Sequence, residues 1–337
     1  MGDFIISHEE LKRLVTIKLT NTGLLKEHAE IVADVLVHAD LRGVSSHGVL
    51  RTEHYVRRLC EGGLNKNPKF FIKQTSAVSA VFDGDDGMGH VIMKEAAKHA
   101  VQLAKANGIG TVSIINSSHC GALSYFVKLA ADAGMIGTAM TNANKNAVPY
   151  GGSEPYFGTN PVAYGIPAKK HDPIILDMAT SQVAFGKVLQ ARMTGKSVPP
   201  DWGVDKNGQP CTNPNNITAL LPFGGPKGYG LAMVVDIFSG ILTGSAFGPH
   251  VRPMFGNYDK PQKLGHFVSA LNPAIFIEKD EFVSRVDEMI DEIHQVPPAE
   301  GFQMVMIPGE PEQARYNKRL TDGIPIPAAI YQYLTRK

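Results

Sequence analysis

Hydrophobic residues recur at two different spacings along the chain, one before about residue 65 and one after residue 77. In the first part, apolar residues fall three and four positions apart, which is the spacing of one helix face. This spacing predicts three helices, over about residues 7–23, 26–41 and 45–62, with Ser7 as the cap of the first and Ser45 or Ser46 as the cap of the third. The N-terminal part is therefore expected to be helical.

From residue 77 onward, short β-branched runs alternate with segments of helical spacing. Strands are predicted at about 77–83, 111–115, 135–141, 173–178, 267–277 and 304–310. Helices are predicted at about 91–106, 123–133, 226–242 and 282–293, in a helix capped by Thr180 or Ser181, and in the tail from Gln313. Segments 142–152 and 154–167 are rich in Gly, Asn and Pro and are predicted to be loops. Alternating strands and helices indicate an α/β domain.

Composition and charge exclude several classes of protein. The 337 residues carry a net charge of +1, which gives no broad field to attract nucleic acid or an anionic membrane. Three cysteines without a CxxC motif indicate neither a disulfide scaffold nor a thiolate zinc site. The charged N-terminus lacks the apolar run of a signal peptide, and the apolar segment 231–242 is too short to span a bilayer. We therefore expect a reduced, soluble, cytoplasmic protein.

Two groups of residues are candidates for chemistry. His119 lies in a polar turn that follows the strand 111–115, and α/β folds often place catalytic groups at the carboxyl end of a strand. A histidine that only caps the next helix is the alternative. His47, Arg51 and Tyr55 follow each other at intervals of four residues, so they share one helix face that suits a small carboxylate. A solvated basic face is the alternative for this second group.

The usual nucleotide and metal motifs are absent from the sequence. No GxGxxG follows a strand, and GGPKGYG is no P-loop because neither Ser nor Thr follows Lys227, although this lysine can still hold a phosphate. No HExxH or other metal-ligand spacing occurs, and Cys120 is expected to be buried. The residues alone therefore predict acid–base chemistry on a small anion but do not name a reaction.

Several longer motifs, spread in order along nearly the whole chain, resemble one known family. They are SSHGVLR (45–51), SSHCGALSYF (117–126), VPYGG (148–152), YFGTNP (156–161), LDMATS (176–181), GPKGYGLAM (225–233), LNP (271–273) and IPGE (307–310). In these motifs the chain resembles the malate/L-lactate dehydrogenase family. The resemblance implies a non-Rossmann fold in which a mixed-sheet NAD(P)-binding domain (74–306) carries a second, largely helical lobe (1–73 plus 307–337). It also implies a homodimer and hydride transfer between NAD(P) and a 2-hydroxy or 2-oxo acid.

The resemblance assigns roles to individual residues. His119 is expected to accept the hydroxyl proton, with His47 as the second candidate for that role, and the substrate is expected to contact Ser46, His47, Arg51 and Tyr55. The family's cofactor positions correspond to Asn142, Ala143, Asn144, Asp177, Met178, Ala179, Lys227, Pro308, Gly309 and Glu310.

Two residues give opposite indications about the cofactor. Glu310 favours NAD, because a carboxylate accepts from a ribose diol and repels a 2′-phosphate. Lys145 stands where relatives often have Pro, and it could add a phosphate contact that allows NADP. A non-catalytic binder of small anions or nucleotides remains the alternative to an enzyme, although such a protein needs no proton acceptor.

Overall fold

The computed structural model describes residues 3–336. Its strands are β1 (Phe4–Ile6), β2 (Phe71–Ser76), β3 (Ser79–Asp83), β4 (Ile109–Ser117), β5 (Ile136–Thr141), β6 (Val162–Ile166), β7 (Ile174–Met178), β8 (Gly203–Val204), β9 (Ala219–Leu220), β10 (Leu264–Leu271) and β11 (Ile324–Ile326). Its α-helices are α1 (His8–Thr20), α2 (Lys26–Leu41), α3 (Thr52–Glu61), α4 (Gly89–Asn107), α5 (Ser124–Asp132), α6 (Phe185–Thr194), α7 (Pro226–Asp236), α8 (Lys279–Gln295), α9 (Glu310–Asp322) and α10 (Ala328–Thr335). Within residues 3–336, no helix is both long enough and apolar enough to cross a membrane.

A seven-stranded mixed sheet forms the centre of the molecule, with strand order β2-β3-β4-β10-β5-β6-β7. β3 and β4 are parallel, and every other neighbouring pair is antiparallel. β10 lies in the middle, where Val268 is opposite Val112 of β4 and Ala139 of β5. The sheet confirms the predicted mixed α/β architecture.

Two hydrophobic cores position the functional elements. The first lies where α4 and α5 pack on the central sheet, and it includes Ile114 of β4 and Phe126 of α5. The second joins α1 and α2 to β11 and α10, and it also contains Tyr55 of α3. The two ends of the chain meet in an antiparallel ladder in which Ile5 is opposite Pro325. Apolar burial of this kind contributes roughly 25 cal/mol per Å².

Two strands of the central sheet, β2 and β6, were missed because their sequences lack the usual strand signal, and the short strands β1, β8, β9 and β11 were not predicted either. β6 lies in the predicted loop 154–167, and its Gly165 is needed for packing: a Cβ there would be 2.4 Å from the carbonyl oxygen of Val127 on α5. This glycine therefore marks a close helix–strand contact and not a turn. β2 is exposed along its whole length, so no alternation of buried and exposed residues marks it.

The strand predicted over residues 304–310 is wrong. Residues 304–307 adopt no regular structure, Met304 and Met306 are exposed, and the following turn receives one backbone hydrogen bond from β7, Ile175 N–H to Pro308 O at 3.2 Å. The apolar run predicts a buried strand, but Met304 and Met306 face outward while Ile307 is buried.

Candidate active site

His119 lies in the turn between β4 and α5, as the sequence predicted. The turn is held from both sides: Ser118 Oγ donates to Gly87 O at 2.9 Å and accepts from Gly89 N–H at 2.8 Å. The backbone N–H of His119 donates to Gln262 Oε1 at 3.2 Å. The imidazole of His119 is therefore carried by a fixed backbone just beyond the carboxyl end of β4.

The segment that carries His47 and Arg51 is not the α-helical turn that the sequence predicted. Two short 3₁₀ segments, Ser45–His47 and Val49–Arg51, precede α3, and neither Ser45 nor Ser46 caps that helix. The reason is the buried carboxyl group of Asp40, which accepts from Val49 N–H at 2.7 Å. A Cβ at Gly48 would be 2.1 Å from this carboxyl group, so only glycine allows the approach.

All five residues predicted to contact the substrate or the transferred proton lie together. The Tyr55 hydroxyl is 2.6 Å from His119 Nδ1, and the rings of His47 and His119 stack with their centroids 5.6 Å apart. Ser46 Oγ is 3.0 Å from His47 Nδ1, and Arg51 Nε donates to Ser46 O at 2.7 Å. Within residues 3–336 no hydrogen bond occupies the terminal nitrogens of Arg51 or Nε2 of His119. These are the atoms that a 2-hydroxy acid needs for its carboxylate and its hydroxyl.

The electrostatics keep both imidazoles neutral. Burial lowers the pKa of His119 well below its usual value, and the neighbouring His47, His90 and Arg51 lower it further. Burial and the adjacent Arg51 lower the pKa of His47 to about 4. A neutral imidazole can accept a proton, and the fixed positive charge of Arg51 favours an anionic substrate.

Asp177 stands at the end of β7 and contacts the same helix that follows His119. Its Oδ2 accepts from Ser124 N–H, in the first turn of α5, at 2.7 Å, while the side chain remains exposed. The predicted cap of the next helix is wrong, because α6 begins after Ala184 without a side-chain cap. Thr180 and Ser181 donate instead to the carbonyl oxygens of Thr159 and Val183. They shape the loop that begins at Ala179, directly after Met178 at the end of β7.

The turn that contains Pro308 and Gly309 packs on β7, two residues before Asp177. Arg42, which is buried, donates to Gly309 O at 3.3 Å and to Gln313 Oε1 at 2.9 Å. Glu310 is engaged within the turn, since its Oε2 accepts from Ile307 N–H at 2.7 Å and its Oε1 is 2.8 Å from His294 Nε2. Its role at a ribose stays a prediction.

The segment of Asn142, Ala143 and Asn144 is fixed by side-chain hydrogen bonds. Asn142 is buried, and its Nδ2 donates to Asp236 Oδ1 at 3.1 Å and to Ala246 O at 2.8 Å, so its side chain holds the loop. Asn144 Oδ1 accepts from Met254 N–H at 3.2 Å. Lys145 is exposed.

Lys227 is exposed in the first turn of α7. The loop before this helix is linked to the end of β7, because Phe223 N–H donates to Thr180 O at 3.1 Å. These groups fit a dinucleotide. An exposed carboxylate at Asp177 suits ribose hydroxyls, and a lysine at a helix N-terminus suits phosphates. A Cβ at Gly224 would have no neighbour within 4 Å, so the backbone beside Lys227 is open to a ligand.

Sequence reasoning missed four residues that support the site: Asp40, Arg42, Arg58 and Gln262. Arg42 and Gln262 make their contacts across 271 and 143 positions, Asp40 contacts Val49 across nine positions, and no local pattern marks these three residues. Arg58 lies seven residues after Arg51 and three after Tyr55, so helical spacing places it on the same helix face as these two residues and marks it as a candidate.

Comparison with known proteins adds independent information. The profile of the family described as malate/L-lactate dehydrogenase matches residues 6–335. The chain is 42% identical over 329 residues to a ureidoglycolate dehydrogenase (NAD(+)) of Escherichia coli, a match that covers 98% of this chain and 94% of that protein. It is 29% identical over 332 residues to a (2R)-3-sulfolactate dehydrogenase (NADP(+)) of Chromohalobacter salexigens, covering 98% and 97% of the two chains.

A solved structure gives the same result. The sulfolactate dehydrogenase of Methanocaldococcus jannaschii superposes with a TM-score of 0.93 at 40% identity, covering 98% of this chain and 95% of that one. The profile match spans nearly the whole chain, and the fold agrees over the same length. The chain therefore belongs to the malate/L-lactate dehydrogenase family.

Proposed function

We propose that this protein is an NAD-dependent dehydrogenase that oxidises (S)-ureidoglycolate to oxalurate, a step in the recovery of nitrogen from allantoin and other purine products. The grouping of His119, Tyr55, His47 and Arg51 carries the proposal, because it combines a proton acceptor with a guanidinium that can bind a carboxylate. The similarity to the Escherichia coli ureidoglycolate dehydrogenase supports this choice of substrate.

As a member of its family, the protein is an oxidoreductase that acts on the CH–OH group of a hydroxy acid and uses NAD or NADP. The cofactor supplies the hydride acceptor when it is bound. The residues that we propose to hold it include the exposed Asp177, Met178 and Ala179 after it, and Lys227 at the start of α7.

The protein's own residues then perform three tasks. Arg51 binds the substrate carboxylate through its two terminal nitrogens, in the bidentate geometry that a guanidinium favours. His119 Nε2 accepts the proton of the hydroxyl group as the carbon is oxidised. This step requires the tautomer in which Nδ1–H donates to the Tyr55 oxygen, so Tyr55 orients the ring and stabilises the imidazolium that forms.

His47 is the second candidate for the proton acceptor. Its Nδ1 is close to Ser46 Oγ, an arrangement that can also orient an imidazole. We favour His119, because it is paired with a buried phenol, and we place His47 and Ser46 at the substrate's carboxylate and hydroxyl groups.

Oxidation of a different 2-hydroxy acid is the alternative function. The 40% identity to a sulfolactate dehydrogenase favours it, and malate, L-lactate and the product of diketogulonate reduction are further candidates of the same chemistry. A spectrophotometric assay of NADH formation with a panel of these acids tests both proposals. Ureidoglycolate should give the highest kcat/KM. If another acid gives a higher kcat/KM, that acid replaces ureidoglycolate as the proposed substrate.

For the cofactor we propose NAD over NADP. For the division of the chain we keep a helical lobe for substrate binding and dimerisation (1–73 plus 307–337) beside an NAD-binding α/β domain (74–306). We also propose a homodimer. Its support is an apolar surface on α7 and the π-helical turn Ile237–Ile241, where exposed side chains of Met233, Ile237 and Ile241 follow one another. Light scattering should show a dimer for the unmodified protein and a larger monomer fraction for Ile241→Asp. A monomer for the unmodified protein as well as for the variant would contradict the proposal.

A further inference from the structure

The segment 252–262, which we name the Arg58 loop, has no regular secondary structure and yet is firmly held over α3. Arg58 projects from α3 and is only 1% exposed. Its guanidinium donates to three carbonyl oxygens of the loop: Pro253 O at 3.0 Å, Met254 O at 2.8 Å and Lys260 O at 3.0 Å. A buried guanidinium bonded to carbonyls at both ends of a loop fixes its path.

Aromatic contacts hold the same loop against α3. The ring of Tyr258 lies 4.0 Å from the guanidinium carbon of Arg57 and 5.5 Å from the imidazole of His54. The approach is so close at Gly63 that a Cβ there would be 2.2 Å from Tyr258 O. The loop therefore has one defined position relative to α3, which carries Tyr55 and directly follows Arg51.

Three residues of the Arg58 loop contact the candidate active site. Gln262 accepts from the backbone N–H of His119 at 3.2 Å, and Met254 N–H donates to Asn144 at 3.2 Å. Phe255 places its ring 5.5 Å from the guanidinium carbon of Arg51, while 56% of its surface stays exposed. The loop thus borders Arg51, the backbone of His119 and the segment of Asn144 at once.

We propose that the Arg58 loop selects the substrate, with Phe255 as the specificity-determining contact and Arg58 as a positioning residue that acts through the loop. The proposal rests on the proposed function, because it assumes that Arg51 binds a 2-hydroxy carboxylate. An aromatic ring beside the guanidinium strengthens the site through cation–π attraction and keeps water from the charge. The same apolar ring disfavours a second anionic group at that side, because desolvating an anion against a hydrocarbon surface is unfavourable. The site then prefers 2-hydroxy acids with a single negative charge.

Phe255→Ala tests the first half of the proposal without endangering the fold, because the side chain is largely exposed. With ureidoglycolate, KM should rise roughly 2- to 30-fold. The ratio of kcat/KM for malate to that for ureidoglycolate should rise by about fivefold or more. Phe71→Ala, at an equally exposed phenylalanine on the edge strand β2, is the matched control and should change neither value. Unchanged KM and an unchanged ratio in Phe255→Ala would overturn the role of Phe255.

Arg58→Met tests the second half. If Arg58 acts through the loop, this variant should shift the substrate ratio in the same direction as Phe255→Ala, and the double variant should shift it no further than the larger single effect. A merely structural arginine would lower the melting temperature and leave the ratio unchanged, and this result would overturn its positioning role. Should Arg58→Met fail to fold, Arg58→Lys provides the same readout, since it keeps the charge but loses the three-carbonyl geometry.

Measurements on the unmodified protein separate a wrong function from a wrong role of the loop. If the unmodified protein oxidises no 2-hydroxy acid with NAD or NADP, the proposed function is wrong. If it oxidises such an acid, and Phe255→Ala and Arg58→Met both keep the parent KM and substrate ratio, only the inference about the Arg58 loop is wrong.

Discussion

Removal of the Tyr55 hydroxyl is the perturbation that isolates the pairing at His119. Tyr55 is only 1% exposed, and its ring packs edge-on against His90 with centroids 4.9 Å apart. Tyr55→Phe keeps this packing and deletes only the oxygen that lies 2.6 Å from His119 Nδ1. The imidazole becomes charged as it accepts the proton, and a hydrogen bond to a charged group is worth about 1.5–3 kcal/mol. We therefore expect kcat to fall roughly 10- to 150-fold.

The assay is the steady-state rate of NADH formation with saturating substrate, accompanied by a melting curve and an NADH titration. The melting temperature and NADH affinity should change little, because the ring and the cofactor residues remain. The kcat loss should exceed any change in KM, since the bond gains its strength only when the imidazole is protonated. If Tyr55→Phe retains the parent kcat, Tyr55 does not assist the proton acceptor and the mechanism fails at this step.

Three further predictions follow from the site and the core. Arg51→Lys should lower kcat/KM for the carboxylate substrate by an amount equivalent to roughly 1–3 kcal/mol, because the charge remains and the bidentate geometry is lost. The melting curve should not change. An unchanged kcat/KM would show that Arg51 does not bind the substrate. Glu310→Ala should lower the NAD/NADP efficiency ratio, and an untouched ratio would point to Lys145 instead. Stability should fall as pH drops from about 6.5 toward 4, because burial lowers the pKa values of His38, His54 and His90 to about 3 and that of His266 to about 4, so the unfolded chain takes up protons first. Each of these imidazoles should cost about 1 kcal/mol by pH 5.5, and urea unfolding midpoints that do not change between pH 7 and pH 5.5 would contradict this.

The mixed α/β architecture could be predicted from the sequence because most of its strands and helices carry a local signal. The run from Ile109 to Ser117 is rich in β-branched residues, of which Val112 and Ile114 are buried, and α5 follows with apolar residues on one face. Local signals fail where a contact between two different elements of the chain decides the structure. Gly165 lies in a strand because α5 packs against it, and the segment before α3 is 3₁₀ because Asp40 holds Val49.

The candidate site divides in the same way. The residues expected to bear the chemistry, among them His119 and Arg51, could be named from motifs, since their types suit the reaction. The residues that hold them could not, because Gln262 contacts His119 across 143 positions and Arg58 contacts Pro253 across 195. Spacing along one helix or strand contains no information about such contacts.

The central claim is that His119 is the proton acceptor, and a parallel measurement on His119→Ala and His47→Ala tests it most directly. His119→Ala should lose roughly 10²–10⁴-fold in kcat, the usual contribution of positioned proton transfer, while NADH still binds. His47→Ala should retain the larger part of its kcat and lose mainly in KM, since we place it at the substrate. In the parent enzyme the oxidative rate should fall only well below pH 6.5, because the lowered pKa keeps His119 neutral down to that range, and His119→Ala should lose this dependence. Near-normal turnover in His119→Ala beside an inactive His47→Ala would contradict the account and place the proton acceptor in the segment before α3.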